Sequence, residues 1–238
     1  MKRFWIWMNI IYEKVMLGIF IIALLVVFYG LYDAWYVYHK AGDDAYLQYK
    51  PSAGESVDAE SPITEDMVAW ITVDGTNIDY PVMQGKTNSE YLNIDPYGEY
   101  SLSGSIFLDS RNSGDFTDDY SILYGHHMEY GNMFGALDDY LNEEYFNTHN
   151  SGELIIGRNA DAVYRIGIFA CMKVDVYDNK ALDPNSFDTI YEYIHSNAQI
   201  LNTSMEKSNR ILALSTCTEP VSNNRLIVFA YIYEEAEK

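Results

Sequence analysis

Apolar residues fall along this chain in two patterns. Val15 to Leu31 is an unbroken apolar run with no charged residue, a length at the short end of what a membrane-spanning helix needs. From Ile63 onward the runs are short and bounded by Gly, Asn, Asp and Ser. They are Val68 to Val73, Ile78 to Val82, Ser105 to Leu108, Ser121 to Tyr124, Leu154 to Ile156, Ala162 to Val174, Ile211 to Thr216 and Leu226 to Tyr233. Many short strands separated by turn residues predict a closed barrel or a sandwich.

Two segments break the strand pattern. Met133, Phe134, Leu137 and Leu141 recur at helical spacing, as do Phe187, Ile190, Tyr191, Ile194 and Ala198. The second predicts a helix from Ser186 to Leu201, with Asp183-Pro184-Asn185-Ser186 as its start signal. Thr64-Glu65-Asp66 reads as the cap of a short helical turn, and a helix is expected from Asp33 to about Gln48.

The flanks of the long apolar run give it a direction. Lys2, Arg3 and Lys14 precede it and Asp33 follows, while Trp5, Trp7, Tyr12, Tyr29, Tyr32, Trp35 and Tyr36 suit the two interfaces. Tyr29-Gly30-Leu31-Tyr32 is too bulky for a signal-peptidase site. The expected layout is a cytoplasmic segment over 1–14, a signal anchor over 15–31, a helical stalk and linker over 32–62, and an extracellular catalytic domain over 63–238.

Charge narrows the partners. Fifteen Lys and Arg stand against 35 Asp and Glu, for a formal charge of −20, or −22 without the first 32 residues. Nucleic acid binding relies on clustered cations, so no nucleic acid partner is expected. Asp118-Asp119 and Asp138-Asp139 read as solvated faces, and with two cysteines there is no zinc-ligand pattern. No metal or other cofactor is expected. Cys171, inside a strand, reads as a small buried hydrophobe, with a Cys171–Cys217 disulfide as the rival reading.

The chemistry concentrates at strand ends. Leu212-Ala213-Leu214-Ser215-Thr216-Cys217 is an apolar strand that delivers a thiol to its edge, and Arg225 opens the next strand. Upstream, Tyr124-Gly125-His126-His127 ends a strand in imidazoles. Thiol, imidazole and guanidinium are the nucleophile, proton carrier and anion stabiliser that a cysteine acyl-transfer enzyme uses. A neighbouring imidazole and a cation populate the thiolate of a group whose ordinary pKa is ~8.5. His39, His149 and His195 sit in polar or helical contexts and are expected to face solvent.

These residues resemble a known family. Trp70-Ile71 with Gly75-Thr76 and Tyr80-Pro81-Val82, Gln84-Gly85-Lys86-Thr87-Asn88 with Tyr91-Leu92, and Gly104-Ser105-Ile106-Phe107 are carried in order. So are Leu123-Tyr124-Gly125-His126-His127, Met133-Phe134, Leu214-Ser215-Thr216-Cys217 and Arg225. Over roughly Met67 to Tyr233 the chain is similar to the sortases, membrane-anchored cysteine transpeptidases of Gram-positive cell surfaces, and most closely to class B.

The resemblance implies a mainly β fold, an eight-stranded sortase-type barrel with an N-terminal helix and a long inserted helix before the cysteine strand. It implies cleavage of a sorting signal after Thr, a thioester on Cys217 and transfer to an amine of a peptidoglycan precursor. It assigns the catalytic histidine to His126, the one directly after Tyr-Gly, with His127 turned to the other face. It makes Arg225 the donor to the reacting carbonyl, and Asn88, Tyr124, Ser215 and Thr218 contacts for the substrate. Expected partners are therefore surface proteins bearing sorting signals, the peptidoglycan precursor amine and the membrane. The short loop Thr218 to Asn224, and a stretch from Val174 to Leu182 without the expected aromatic–aliphatic pair, depart from the family's pattern where signal preference is set. A pilin lysine as the accepting amine, and an anchored binding module without catalysis, are the alternatives. An L,D-transpeptidase is disfavoured, because Cys217 follows Leu-Ser-Thr rather than Ser-His-Gly.

Overall fold

The computed structural model describes residues 1–41, 44–52, 61–217 and 224–234, without the side chains of 37–41, 44–45 and 217. It divides into two compact units, Met1–Lys40 and Ala41–Lys238. The first is helix α1 (Lys2–Ala41), which includes the uncharged run and is long and apolar enough to cross a membrane. Its described apolar side chains are exposed, which suits a helix whose solvent is lipid.

The second unit contains β1 (Met67–Val73), β2 (Asp79–Met83), β3 (Ile106–Leu108), β4 (Tyr120–His126), β5 (Ser151–Ile156), β6 (Ala162–Asp175), β7 (Ile200–Leu201), β8 (Ile211–Cys217) and β9 (Asn224–Glu234). The strand order is β5-β1-β2-β3-β4-β8-β9-β6, and pairing of β5 with β6 closes eight strands into a barrel. The extra strand β7 adds to β6 outside the closed ring. Closure removes the free edges that an open sheet would expose.

Strand alternation sorts the side chains onto two faces. The barrel interior takes alternate residues from all eight strands, among them Ile71, Val82, Ile106, Leu123, Leu154, Ile168, Leu214 and Val228. The outer face of the wall carries a second core with Trp70, Phe107, Tyr124, Ala213, Ile227 and Phe229. Because both faces are covered, β8 and β9 read as near-continuous apolar runs. A register shift between Ile168 and Ala170 in β6 changes the phase of that strand. It turns Cys171 into the interior, where it is 0% exposed and carries a free thiol. Burial pushes that thiol up to about 12.

Helix α2 (Glu143–Thr148) begins at Asn142, whose side-chain oxygen accepts from the backbone N–H groups of Glu144 and Tyr145. The inserted helix α3 (Phe187–Asn197) buries Ile190 and Ile194 against the outer core. It is shorter than the expected Ser186–Leu201, because Ala198 leaves helical geometry and Ile200–Leu201 pair with β6. The expected helix over Met133–Leu141 is a 3-10 helix, Phe134–Leu141. Residues 64–66 form a turn without a helix.

The expected stalk departs from a simple linker. The helix expected over 33–48 ends at Ala41, and Asp44–Tyr49 is a separate 3-10 turn. Tyr46 is buried and its ring stacks on Tyr97, with centroids 5.0 Å apart. Lys50 Nζ donates to Asp79 Oδ1 at 2.9 Å, where Trp70 Nε1 and Thr72 Oγ1 also donate at 2.6 and 3.0 Å. The compact unit thus starts some twenty residues before Ile63.

Candidate active site

Three adjacent strands bring the sequence-predicted residues together. β4 and β8 run parallel, with Tyr124 opposite Ser215 and His126 opposite Cys217. β8 and β9 run antiparallel, with Ser215 opposite Ile227. Tyr124, Ser215 and Ile227 therefore form one row across the wall. Continued by two residues, the same register makes His126, Cys217 and Arg225 the next row.

The ladder between β8 and β9 changes character there. Thr216 Oγ1 accepts from the Leu226 N–H at 3.1 Å and donates to the Leu226 carbonyl at 3.4 Å. A buried side-chain hydroxyl thus bonds both main-chain groups of Leu226 next to the last paired residues, Ser215 and Ile227, and these buried groups keep their partners. This is a local reason for the Ser-Thr-Cys sequence.

His126 is half-buried, and its Nε2 lies 2.7 Å from the Leu92 carbonyl oxygen. A carbonyl only accepts, so Nε2 carries the hydrogen and Nδ1 is the nitrogen left for proton exchange. Two glycines set this geometry. A Cβ on Gly125 would stand 2.4 Å from Ile106 Cδ1 and 2.8 Å from the Phe134 ring, so the bare backbone lets the 134–141 helix pack beside the histidine. Gly104 has φ +57°, and a Cβ there would lie 2.5 Å from the carbonyl oxygens of Tyr91 and Leu92. Its backbone therefore packs directly behind the peptide that holds His126.

His127 is bound elsewhere. Its Nε2 lies 2.7 Å from Asp138 Oδ2, and its backbone bridges to Met133. Asp138 is thus a hydrogen-bond partner of His127 on a face that stays exposed, as expected. His149 is half-buried rather than solvent-facing, stacked on Tyr145 with centroids 3.9 Å apart. His195 is also half-buried, 4.4 Å from the Tyr191 ring. The side chain of His39 and all of Thr218 lie outside the described residues, as does most of the 218–224 loop.

Arg225 places its guanidinium carbon 5.8 Å from the centroid of the Tyr124 ring, within cation–π range. Its Nε is buried without a hydrogen-bond partner among the described residues. Tyr124 is buried, and its hydroxyl donates to Asp109 Oδ2 at 3.1 Å. Burial, with the Asp109 charge behind it, pushes the Tyr124 phenol well above its ordinary range.

Asp109 itself is fully buried. Burial works to raise its carboxyl, but hydrogen bonds from the Arg111 side chain and backbone and from Asn88 outweigh that and hold it below its ordinary value. Asn88, expected to meet substrate, is half-buried and hydrogen-bonded to its neighbours. Its Nδ2 donates to Asp109 Oδ2 at 2.9 Å and its Oδ1 accepts from the Ser110 N–H at 2.7 Å. Ser215 is likewise fully buried. Asp109, Arg111 and the Leu92 carbonyl were not singled out from the sequence. The only signal for the first two was a charged pair, Asp109-Ser110-Arg111, directly after an apolar strand.

Comparison with known proteins places this arrangement. Residues 71–233 match the sortase domain family. Sortase B of Staphylococcus aureus is 34% identical over 177 residues, covering 71% of each chain. Sortase B of Listeria monocytogenes is 33% identical over 190 residues, covering 74% of this chain and 76% of its own. Among solved structures, a Streptococcus pyogenes class B sortase involved in pilus biogenesis is 38% identical with a TM-score of 0.65, over 70% of this chain and 92% of its own. The crystal structure of Staphylococcus aureus sortase B gives 30% identity and a TM-score of 0.68, over 84% and 98%. The closed barrel and these relatives agree, and the chain belongs to the sortase family, in its class B branch.

Proposed function

We propose that this protein is a membrane-anchored cysteine transpeptidase that cleaves a C-terminal sorting signal after Thr and joins the new carboxyl end to an amine of a peptidoglycan precursor. The observation that carries the reading is the register of β4 and β8, which pairs His126 with Cys217. Arg225 stands at the head of the neighbouring strand, over Tyr124.

The Cys217 thiolate attacks the Thr carbonyl carbon, and the carbonyl π electrons move onto oxygen. Arg225 donates to that oxyanion, which is where preorganised donors do most for an acyl transfer. The C–N bond breaks, and protonated His126 gives its Nδ1 proton to the leaving amine. A thioester and a neutral imidazole remain. The incoming amine attacks the thioester, His126 Nδ1 takes the amine's proton, and Cys217 leaves as thiolate. Throughout, the Leu92 carbonyl holds Nε2–H, so the same ring face serves both half-reactions. The Thr218 backbone N–H is a second candidate oxyanion donor.

In this reading the N-terminus is cytoplasmic and the barrel extracellular, by the positive-inside bias of Lys2, Arg3 and Lys14. Similarity to the Streptococcus pyogenes sortase involved in pilus biogenesis favours one variant, in which a pilin lysine replaces the wall amine. Incubating the detergent-solubilised full chain with a sorting-peptide library and a panel of amines tests both. Transfer to peptidoglycan-type amines supports wall anchoring, exclusive transfer to a lysine side chain supports polymerisation, and no cleavage of any peptide contradicts the reading.

A further inference from the structure

The fully buried carboxylate of Asp109 is more heavily bound than a loop residue requires. Oδ1 accepts from Arg111 Nε and from the Arg111 backbone N–H, both at 2.9 Å. Oδ2 accepts from Arg111 Nη2 at 2.8 Å, from Asn88 Nδ2 at 2.9 Å and from the Tyr124 hydroxyl at 3.1 Å. Desolvating a carboxylate costs several kcal/mol unless it is paired and fully hydrogen-bonded, and here every donor converges on it.

Two of those links lead outward. Tyr124 is the residue whose ring face meets Arg225. Arg111 also donates to the Leu182 carbonyl at 3.0 Å and pairs with Asp183 at 3.2 Å, where the chain turns into α3. Pinning the Tyr124 hydroxyl fixes the ring plane, and a fixed ring plane fixes where a cation can rest above it. Among the described residues the buried Arg225 Nε has no hydrogen-bond partner, and the Tyr124 ring is the described support beneath the guanidinium. Its seat therefore comes from below.

We propose that Asp109, clamped by Arg111, is a positioning residue that acts through Tyr124 to hold the Arg225 guanidinium where the oxyanion forms. Asp109 touches neither substrate nor Cys217 in this scheme. Arg111 makes the same unit answerable to the 181–183 segment, so a shift at the start of α3 reaches Arg225. The proposal rests on the transpeptidase reading above, because it needs Arg225 to meet the reacting carbonyl.

A double-mutant cycle tests it, because coupled residues fail to add and independent ones do not. Acylation of the solubilised full chain by an intact sorting peptide that it cleaves is measured in single-turnover mode for the parent, Asp109→Asn, Arg225→Ala and the double variant, with Tm alongside. A misplacement of a catalytic group by about 1 Å costs on the order of 10²-fold. Asp109→Asn is therefore expected to lower the acylation rate constant by ~10–10²-fold with KM little changed. In the Arg225→Ala background the same change is expected to cost less than about 2-fold. Equal losses in both backgrounds, or a folded Asp109→Asn with parental rate, overturn the proposal. If Asp109→Asn does not fold, Tyr124→Phe runs the same cycle, since it removes only the hydroxyl that reaches Asp109. A parent that forms no acyl-enzyme overturns the transpeptidase reading instead, so the two failures are distinct.

Discussion

His126 and Cys217 are register partners on the parallel strands β4 and β8, ninety-one positions apart in the chain and directly opposite in the sheet. Parallel pairing needs a crossover, and here everything from His127 to Arg210 lies between the two strands. The positions of His126 and Cys217 are therefore fixed by the barrel wall rather than by a loop. That rigidity suits a site in which small displacements are costly.

The two histidines are expected to behave differently. His126→Ala removes the ring bound to the Leu92 carbonyl, and turnover should fall by ~10²–10⁴-fold, the usual worth of acid–base help. His127→Ala breaks a partly exposed pair with Asp138, which should change turnover less than about 10-fold and act mainly on Tm. Steady-state kinetics with one peptide decides, and comparable losses from both count against a single proton carrier.

The acceptor behind His126 has its own test. Gly104→Ala places a Cβ against the Tyr91 and Leu92 carbonyls at a positive φ, so the 91–92 peptide must move. We expect a lower kcat with Cys217 alkylation retained. Unchanged kcat in a folded variant would mean that the Leu92 carbonyl does not orient the imidazole.

Arg225→Lys keeps the charge but loses the planar fork of donors. Loss of an oxyanion donor costs about 2.7–4 kcal/mol, or ~10²–10³ in rate. The acylation rate should fall in that range, while the pH dependence of Cys217 alkylation moves little. Near-normal acylation by the lysine variant would reduce Arg225 to a point charge.

Acid stability reports on Asp109. Its carboxyl is held below the ordinary value of ~3.9 in the folded state. It therefore contributes stability above that pH and loses it as pH falls through the folded value. Asp109→Asn lacks this contribution, so the Tm gap between parent and variant should be widest near neutrality and narrow below about pH 4. A gap independent of pH would mean the carboxylate is not stabilised by its partners.

Much of this was legible in the sequence for a physical reason. All eight barrel strands lie where the apolar runs predicted them, because a wall buried on both faces leaves its residues little choice but apolar ones. The site was legible in Tyr-Gly-His and Ser-Thr-Cys, where the backbone demands of Gly125 and the hydroxyl of Thr216 restrict what the chain can carry. Strand β7 was not legible, since two residues paired to an edge leave no periodicity. Asp109 and Arg111 were not legible either, because an Asp and an Arg two apart in a polar loop look like any solvated turn until the fold buries one of them. The 44–50 segment read as the end of a helical stalk for the same reason: Tyr46 and Lys50 show their role only once Tyr97 and Asp79 are opposite them.

The central claim, that Cys217 carries the acyl group, is tested most directly by intact-mass and peptide-mapping spectrometry of the full chain after reaction with an intact sorting peptide. The expected result is one added acyl group, on Cys217, lost on treatment with hydroxylamine and absent in Cys217→Ala. Cys171→Ala should acylate like the parent, because the Cys171 thiol is buried in the barrel with its pKa pushed up to about 12 and is not a nucleophile near neutrality. An adduct mapped to Cys171, or one that persists in Cys217→Ala, would contradict the account.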